Sequence, residues 1–226
     1  MSVDPGIAVK TLWSNATVMW SEREIVAREC LIANIFQIVS ETWSEINPAI
    51  RFARVETPVL TPQKALAGHV GTGFPMLAAG ARGLLRPETT AGCVAAFEAM
   101  FPMESQRRKR LPFCVWQAGK SFRDESNPET MRASKLRLVE FWQLEFELFA
   151  AADTKADYIG PAVDALVRAY GGESVRADEL PHYSRRTVDW EIGGLEVAGC
   201  SERTDWPGGI IHEVSIGLDR LLAVRS

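Results

Sequence analysis

The sequence is poor in the residues that build metal centres and cross-links. It has four cysteines and three histidines among 226 residues. Cys30, Cys93, Cys114 and Cys200 form no CxxC pair, and His69, His182 and His212 show no metal-ligand spacing, which argues against a zinc site or a disulfide framework. Scattered thiols of this kind read as reduced and mostly buried, and they point to a cytoplasmic setting. No apolar run is long enough to span a bilayer, so no membrane partner is expected. The N-terminus lacks the basic segment and apolar run of a signal peptide. Positive charge is not in excess either: the formal net charge is -4, so no chain-wide field draws nucleic acid. Internal repeats, low-complexity tracts and linkers are also missing. With 46% hydrophobic residues, the chain reads as one domain over residues 1–226 with enough core to fold alone.

What is present is strong local patterning. Ser21-Glu22-Arg23-Glu24 is a capping box, and Ile25, Ile32, Ile35, Phe36, Val39 and Trp43 follow at helical spacing until Asn47-Pro48 stops them. A long helix is predicted over 21–46. Residues 52–60 read as extended, and Gly68 to Gly83 as a loop around a short hairpin. A second helix is predicted over 89–101 with Thr89 as its cap. Leu111 to Arg123 reads as a strand, and Leu136 to Phe149 as the clearest strand of all. There Trp142, Leu144, Phe146 and Leu148 fall on one face, with Gln143, Glu145 and Glu147 on the other. A sheet with one apolar face packed on helices and one open polar face is typically antiparallel. Pro161 to Tyr170 reads as a helix stopped by Gly171-Gly172. Thr187–Ile192 and Leu195–Cys200 read as strands joined by Gly193-Gly194. Glu213 to Ser215 continues as a strand, and Gly217 opens a short terminal helix. The fold class is α+β, an antiparallel sheet flanked by helices.

Charged residues lie at the ends of these strands. In Phe122-Arg123-Asp124-Glu125 an arginine at a strand end can reach a phosphate, and Glu125 on the same face can accept from an amino group. A surface ion pair is an equally good reading of those residues alone. In Glu213-Val214-Ser215-Ile216-Gly217-Leu218-Asp219-Arg220, Glu213 and Ser215 share a strand face, and Arg220 enters the first helical turn. Taken alone, Arg220 reads better as a solvated helix-start arginine than as a phosphate ligand. Arginine suits phosphate because its planar fork is bidentate and always charged. Buried carboxylates, in turn, are costly unless paired or ligated.

Leu85-Arg86-Pro87-Glu88-Thr89, Leu111-Pro112-Phe113, Ser121-Phe122-Arg123-Asp124-Glu125, Glu140-Phe141 with Glu145 and Glu147, Leu195 to Asp205, and Glu213 to Arg220 together resemble the catalytic core of glycyl-tRNA synthetases, which are class II aminoacyl-tRNA synthetases. The likeness runs in order from about Arg51 to Leu222. It places motif 1 around 51–60, motif 2 around 111–149 and motif 3 around 211–224.

The resemblance implies an ATP-dependent ligase that activates glycine as an aminoacyl-adenylate, with Mg²⁺ bridging the phosphates. Arg123 would hold the α-phosphate, Glu125 the adenine amino group and Arg220 the γ-phosphate. Glu213 would bind Mg²⁺, helped by Glu196. Glu88, Glu145 and Ser215 match positions that grip the amino acid, and Arg203 matches a pocket arginine. Pro58 resembles the motif 1 proline of a homodimer interface.

The chain also departs from the family's pattern. Thr89-Thr90-Ala91-Gly92 stands where Thr-Ala-Gln-Gly is usual, and Val139 replaces an arginine. The chain ends shortly after Arg220, which implies a truncated form without the anticodon-binding domain. The acceptor would then be a tRNA acceptor stem, a carrier protein or a small molecule. The basic run Gln106 to Arg110 is expected to be a solvated loop rather than an RNA contact. The alternative reading is a catalytically inactive paralogue acting as a dimeric binding or accessory protein.

Overall fold

Alternation along one long strand sets the architecture. The computed structural model describes residues 12–13, 17–18, 20–66, 69, 75–125 and 136–224. Its centre is a seven-stranded sheet. In chain order the described strands are β1 (Leu12–Trp13), β2 (Thr17–Val18), β3 (Arg51–Arg54), β4 (Leu60–Thr61), β5 (Leu84–Leu85), β6 (Phe113–Phe122), β7 (Glu140–Ala150), β8 (Glu173–Arg176), β9 (Ser184–Ile192), β10 (Leu195–Arg203) and β11 (Ile210–Gly217). The helices are α1 (Glu22–Ile46), α2 (Gln63–Leu66), α3 (Thr90–Met100), α4 (Glu104–Arg110), α5 (Ile159–Tyr170) and α6 (Leu218–Val224). The sheet order is β3-β6-β7-β11-β10-β9-β8, and every pairing is antiparallel except β3 with β6.

One face of this sheet is apolar. Leu144, Phe146 and Leu148 of β7, Val214 and Ile216 of β11, Cys200 of β10 and Trp190 of β9 pack with α1 and α5 into the main core. The capping box at Ser21 starts α1: Glu24 N donates to Ser21 Oγ at 3.3 Å and Ser21 N to Glu24 Oε2 at 2.6 Å. Trp43 is fully buried, and its indole N–H donates to Tyr158 O at 2.8 Å. Truncation of a buried tryptophan costs about 3–5 kcal/mol. Ile25 does not join this face; it is exposed, and Leu31 takes a place in the stripe instead. Gly193 and Gly194 both have positive φ, 59° and 78°, which is the backbone a two-residue hairpin turn requires.

The opposite face of the sheet is not open as the alternation predicts. Over one half of it α3 packs Cys93, Val94 and Phe97 against Phe113, Val115, Phe149 and Ile211. Trp206 completes that second core. Glu145 and Glu147 are therefore buried, at 1% and 0% exposure.

Four other expectations change. Thr89 precedes α3, but its side chain makes no cap; its hydroxyl donates to Glu145 instead. The basic run 106–110 is helical, in α4, rather than a loop. The long strand begins at Glu140 rather than Leu136. The edge strand β8 carries no apolar alternation and was not predicted. Residues 68 and 70–74 of the Gly68–Gly83 loop and all of the polar segment 126–135 lie outside the described residues.

Candidate active site

The half of the polar face that α3 leaves uncovered forms one cavity of about 260 Å³. Glu88, Arg123, Glu125, Glu145, Glu196, Glu213, Ser215 and Arg220 all line it. Arg203, the ninth residue singled out in the sequence, is fully buried against Glu213. Side chains drawn from five separate stretches of chain thus meet around a single space.

Strand register lays the cavity out along β7. On its inward face Glu147, Glu145, Gln143 and Phe141 follow one another, opposite Glu213, Ser215 and Gly217 of β11 for the first three. At about 6.8 Å per two residues, these four positions span roughly 20 Å. The acidic end lies at Glu145 and Glu213, and the arginines lie beyond Phe141.

At the acidic end, Glu145 is filled by protein donors. Its Oε1 accepts from Ser215 Oγ at 2.8 Å and Gln143 Nε2 at 3.1 Å. Its Oε2 accepts from Thr89 N at 3.0 Å, from the Thr89 hydroxyl, and from Thr90 Oγ1 at 3.5 Å. A carboxylate offers about four acceptor positions, so Glu145 organises its neighbours and has no position left for a ligand. Gln143 was not assigned a role from sequence, although strand parity places it on this face. Its amide orientation is forced: turning it over would set its oxygen against Glu145. Gln143 Oε1 is consequently left buried with no hydrogen-bond partner among the described residues, as is Glu88 Oε1.

Arg203 neutralises part of this acid. Nη1 donates to Glu213 Oε2 at 2.6 Å, and Nη2 to Asp205 Oδ2 at 2.8 Å. Glu88 Oε1 lies 3.7 Å from Nη2, and the Tyr183 ring centroid is 3.8 Å from the guanidinium carbon. Burial opposes the Arg203 charge, but Glu213 and Glu88 outweigh it and hold the guanidinium protonated. Burial pushes Glu88 up to about 8, with Arg203 pulling against it. Burial and then Glu213 push Glu147 well above the usual carboxylate range. Three glutamates, at positions 88, 147 and 213, together with Asp205, thus act on one fully buried cation. This end is short of positive charge.

At the other end Arg123 Nε donates to Pro87 O at 3.0 Å, and its guanidinium carbon lies 5.1 Å from the Phe141 ring centroid. Glu125 Oε1 pairs with Arg137 Nη1 at 3.4 Å. Gly217 leads into α6, whose buried Asp219 accepts from Trp142 N at 2.5 Å and so fixes the helix start against β7. Arg220, one residue on, donates through Nη1 to Glu196 O at 2.9 Å.

The structure separates Glu213 from Glu196. Ser201 stands opposite Glu213, and Glu196 lies further back along β10 by roughly 15 Å. One Mg²⁺ binds its oxygen ligands at about 2.0–2.1 Å, so these two carboxylates cannot share one as placed. Glu213 is also engaged by Arg203. Glu196 is half exposed beside Arg220, and Asp189 lines the same wall. Burial, with Glu196 and Glu191, pushes Asp189 up to about 6, a position that a cation would relieve. Among the described residues no group of three or more His, Cys, Asp or Glu could hold a metal ion by itself.

The antiparallel sheet with its parallel edge strand, the helices on one face and the charged cavity on the other define the catalytic-domain fold of class II aminoacyl-tRNA synthetases. The chain superimposes with a TM-score of 0.64 on Giardia lamblia prolyl-tRNA synthetase in complex with prolyl-adenylate, at 15% identity, covering 93% of this chain and 48% of that one. It superimposes with a TM-score of 0.61 on Desulfitobacterium hafniense PylSc, a pyrrolysyl tRNA synthetase, at 20% identity, covering 86% of this chain and 68% of that one.

In sequence the chain is homologous to glycine–tRNA ligases. It is 32% identical to that of Thermobifida fusca over 139 residues, covering 54% of this chain and 29% of the relative. It is 31% identical to that of Streptomyces coelicolor over 158 residues, covering 62% of this chain and 32% of the relative. The match thus spans about a third or less of the relatives' length. No family model matches the chain. Among the described residues no helix is long and apolar enough to cross a membrane.

Proposed function

We propose that the cavity binds a small amino acid, glycine in the first instance, beside ATP, and joins them as an aminoacyl-adenylate. The observation that carries this reading is the segregation of charge: an acidic cup and an arginine pair occupy opposite ends of one space. A primary ammonium brings three N–H donors and one positive charge. Glu88 Oε1 and Gln143 Oε1 are buried acceptors with no hydrogen-bond donor among the described residues, and Ser215 lies between Gln143 and Glu145. Buried polar atoms are seldom left unpaired, and charge-assisted bonds to a carboxylate are the strong kind.

Arg123 would hold the α-phosphate, with Phe141 under it, and Arg220 the outer phosphates. Glu125 would accept from the adenine amino group. Mg²⁺ commonly binds through one or two carboxylates plus substrate phosphates, and Glu196 with Asp189 fits that role better than Glu213 does. Bound there, it would neutralise phosphate charge. The amino-acid carboxylate then attacks the α-phosphorus, the bond to the bridging oxygen breaks, and pyrophosphate leaves with that electron pair. No side-chain nucleophile is needed. Alignment of the reactants and stabilisation of phosphate charge supply the rate.

A tRNA acceptor stem, a carrier protein or a small molecule would take the aminoacyl group. The basic helix α4 lies at the far end of β6 from Arg123, and so does not flank the cavity mouth. A cytoplasmic homodimer goes with the same reading, with exposed Val59 and Leu60 following Pro58.

A split between two Michaelis constants tests the assignment. Arg220→Ala is expected to raise KM for ATP at least tenfold and leave that for the amino acid within twofold. Glu88→Gln is expected to do the reverse. Equal effects of both variants on both constants would refute the division of the cavity.

A further inference from the structure

Gln117 is buried at the centre of β6, at 1% exposure, and does not line the cavity. Its amide nevertheless has four partners. Nε2 donates to Thr89 O at 3.1 Å and to Cys93 Sγ at 3.3 Å. Oε1 accepts from Thr57 N at 3.2 Å and Thr57 Oγ1 at 3.0 Å. The orientation is fixed by chemistry: a backbone carbonyl only accepts and a backbone N–H only donates, so turning the amide over breaks both ends.

Gln117 stands directly opposite Glu145 in the β6–β7 register. Between them they reach every polar group of Thr89: the carbonyl accepts from Gln117 as well as from Cys93 N, at 3.1 Å each, and the N–H and hydroxyl go to Glu145. Thr57 anchors the other side. Its carbonyl and hydroxyl accept from Arg86 Nη1 at 2.7 and 3.0 Å, and Arg86 Nε donates to Lys120 O at 2.7 Å. Arg86 N donates to Val59 O, and Phe122 N to Arg86 O, both at 2.9 Å. Glu88 therefore hangs between two residues that are tied down, Arg86 and Thr89.

We infer that Gln117 is a positioning residue for the ammonium-binding end of the cavity: through Thr57 and Thr89 it fixes residues 86–89, and with them the carboxylate of Glu88. A segment that is ordered beforehand does not have to be ordered when the ligand arrives. The consequence for substrate rests on reading the acidic end as an amino-acid site. The clamp itself does not.

Gln117→Met keeps the volume and removes both ends of the clamp. Backbone hydrogen exchange at residues 88–91 is expected to quicken at least tenfold in this variant, with β7, β10 and β11 protected as before. In glycine-dependent pyrophosphate exchange, KM for the amino acid rises at least tenfold while KM for ATP stays within twofold. Unchanged protection at 88–91 would overturn the inference. So would a uniform loss of protection accompanied by equal losses for both substrates, because that is the signature of a general core defect. If the unaltered protein exchanges with no amino acid, the functional reading fails and hydrogen exchange still decides the clamp. If Gln117→Met does not fold, Thr57→Val removes the hydroxyl alone and answers through the same protection measurement.

Discussion

Arg203 Nη1 donates to Glu213 Oε2 at 2.6 Å, and the two side chains are only 0% and 6% exposed. This pair sits at the acidic end of the cavity, the end proposed above to bind an ammonium group. Removing one partner of a buried pair costs about 3–5 kcal/mol, because the other charge is stranded. Arg203→Met is therefore expected to lower the melting temperature sharply. Arg203→Lys recovers little of the loss, since one ammonium cannot reach Glu213, both Asp205 oxygens and the His69 carbonyl together. Calorimetric melting of the two variants checks this.

The pH dependence of stability follows from Glu88. Burial raises its carboxyl from 4.5 to about 8, with Arg203 and Arg123 opposing and Glu145 and Glu213 assisting. The folded protein then holds this proton more tightly than the unfolded chain does. The resulting stability is complete below about 4.5 and is lost as pH rises through about 8. Glu88→Gln should flatten that decline in denaturant titrations over this range.

His212 acts in the opposite direction. Burial lowers it to about 4, Glu202 and Asp157 pulling up and Arg185 and Arg186 down, and neither ring nitrogen has a hydrogen-bond partner among the described residues. Its contribution is present above 6.5 and is lost as pH falls through about 4. His212→Phe is expected to reduce acid destabilisation between pH 6.5 and 4, measured as the difference from the unaltered protein.

Gly119 is a spatial requirement. A Cβ there would come within 2.3 Å of Arg86 Nη2. Arg86 is held at Nε and Nη1 and cannot simply swing away. Gly119→Ala should destabilise by about 1–3 kcal/mol, the usual range for overpacking, and should raise KM for the amino acid. Denaturant midpoints together with exchange kinetics test both parts.

Much of this was legible in the sequence because local chemistry agreed with the global fold. Strand parity on β7 assigned Phe146 to the core and Glu145 to the polar face. Two adjacent glycines marked the β9–β10 hairpin, and Ser21 with Glu24 marked the start of α1. Other features depend on register between distant strands, which no local pattern encodes. The β10–β11 register separates Glu196 from Glu213. The five protein donors on Glu145 come from four residues in α3, its lead-in residue Thr89, β7 and β11, so its saturation appears only once those elements are packed. β8 and α4 were missed because exposed strands and basic helices carry no apolar stripe. Thr89 could be read as a helix cap, but a buried carboxylate competes better for its hydroxyl than the helix end does.

The most direct measurement is exchange of labelled pyrophosphate into ATP, run with each amino acid in turn. The account predicts exchange with glycine, little or none with amino acids bearing larger side chains, and none with Arg123→Ala protein that melts normally. No exchange with any amino acid from well-folded protein would contradict it and favour a binding protein that has kept the synthetase fold.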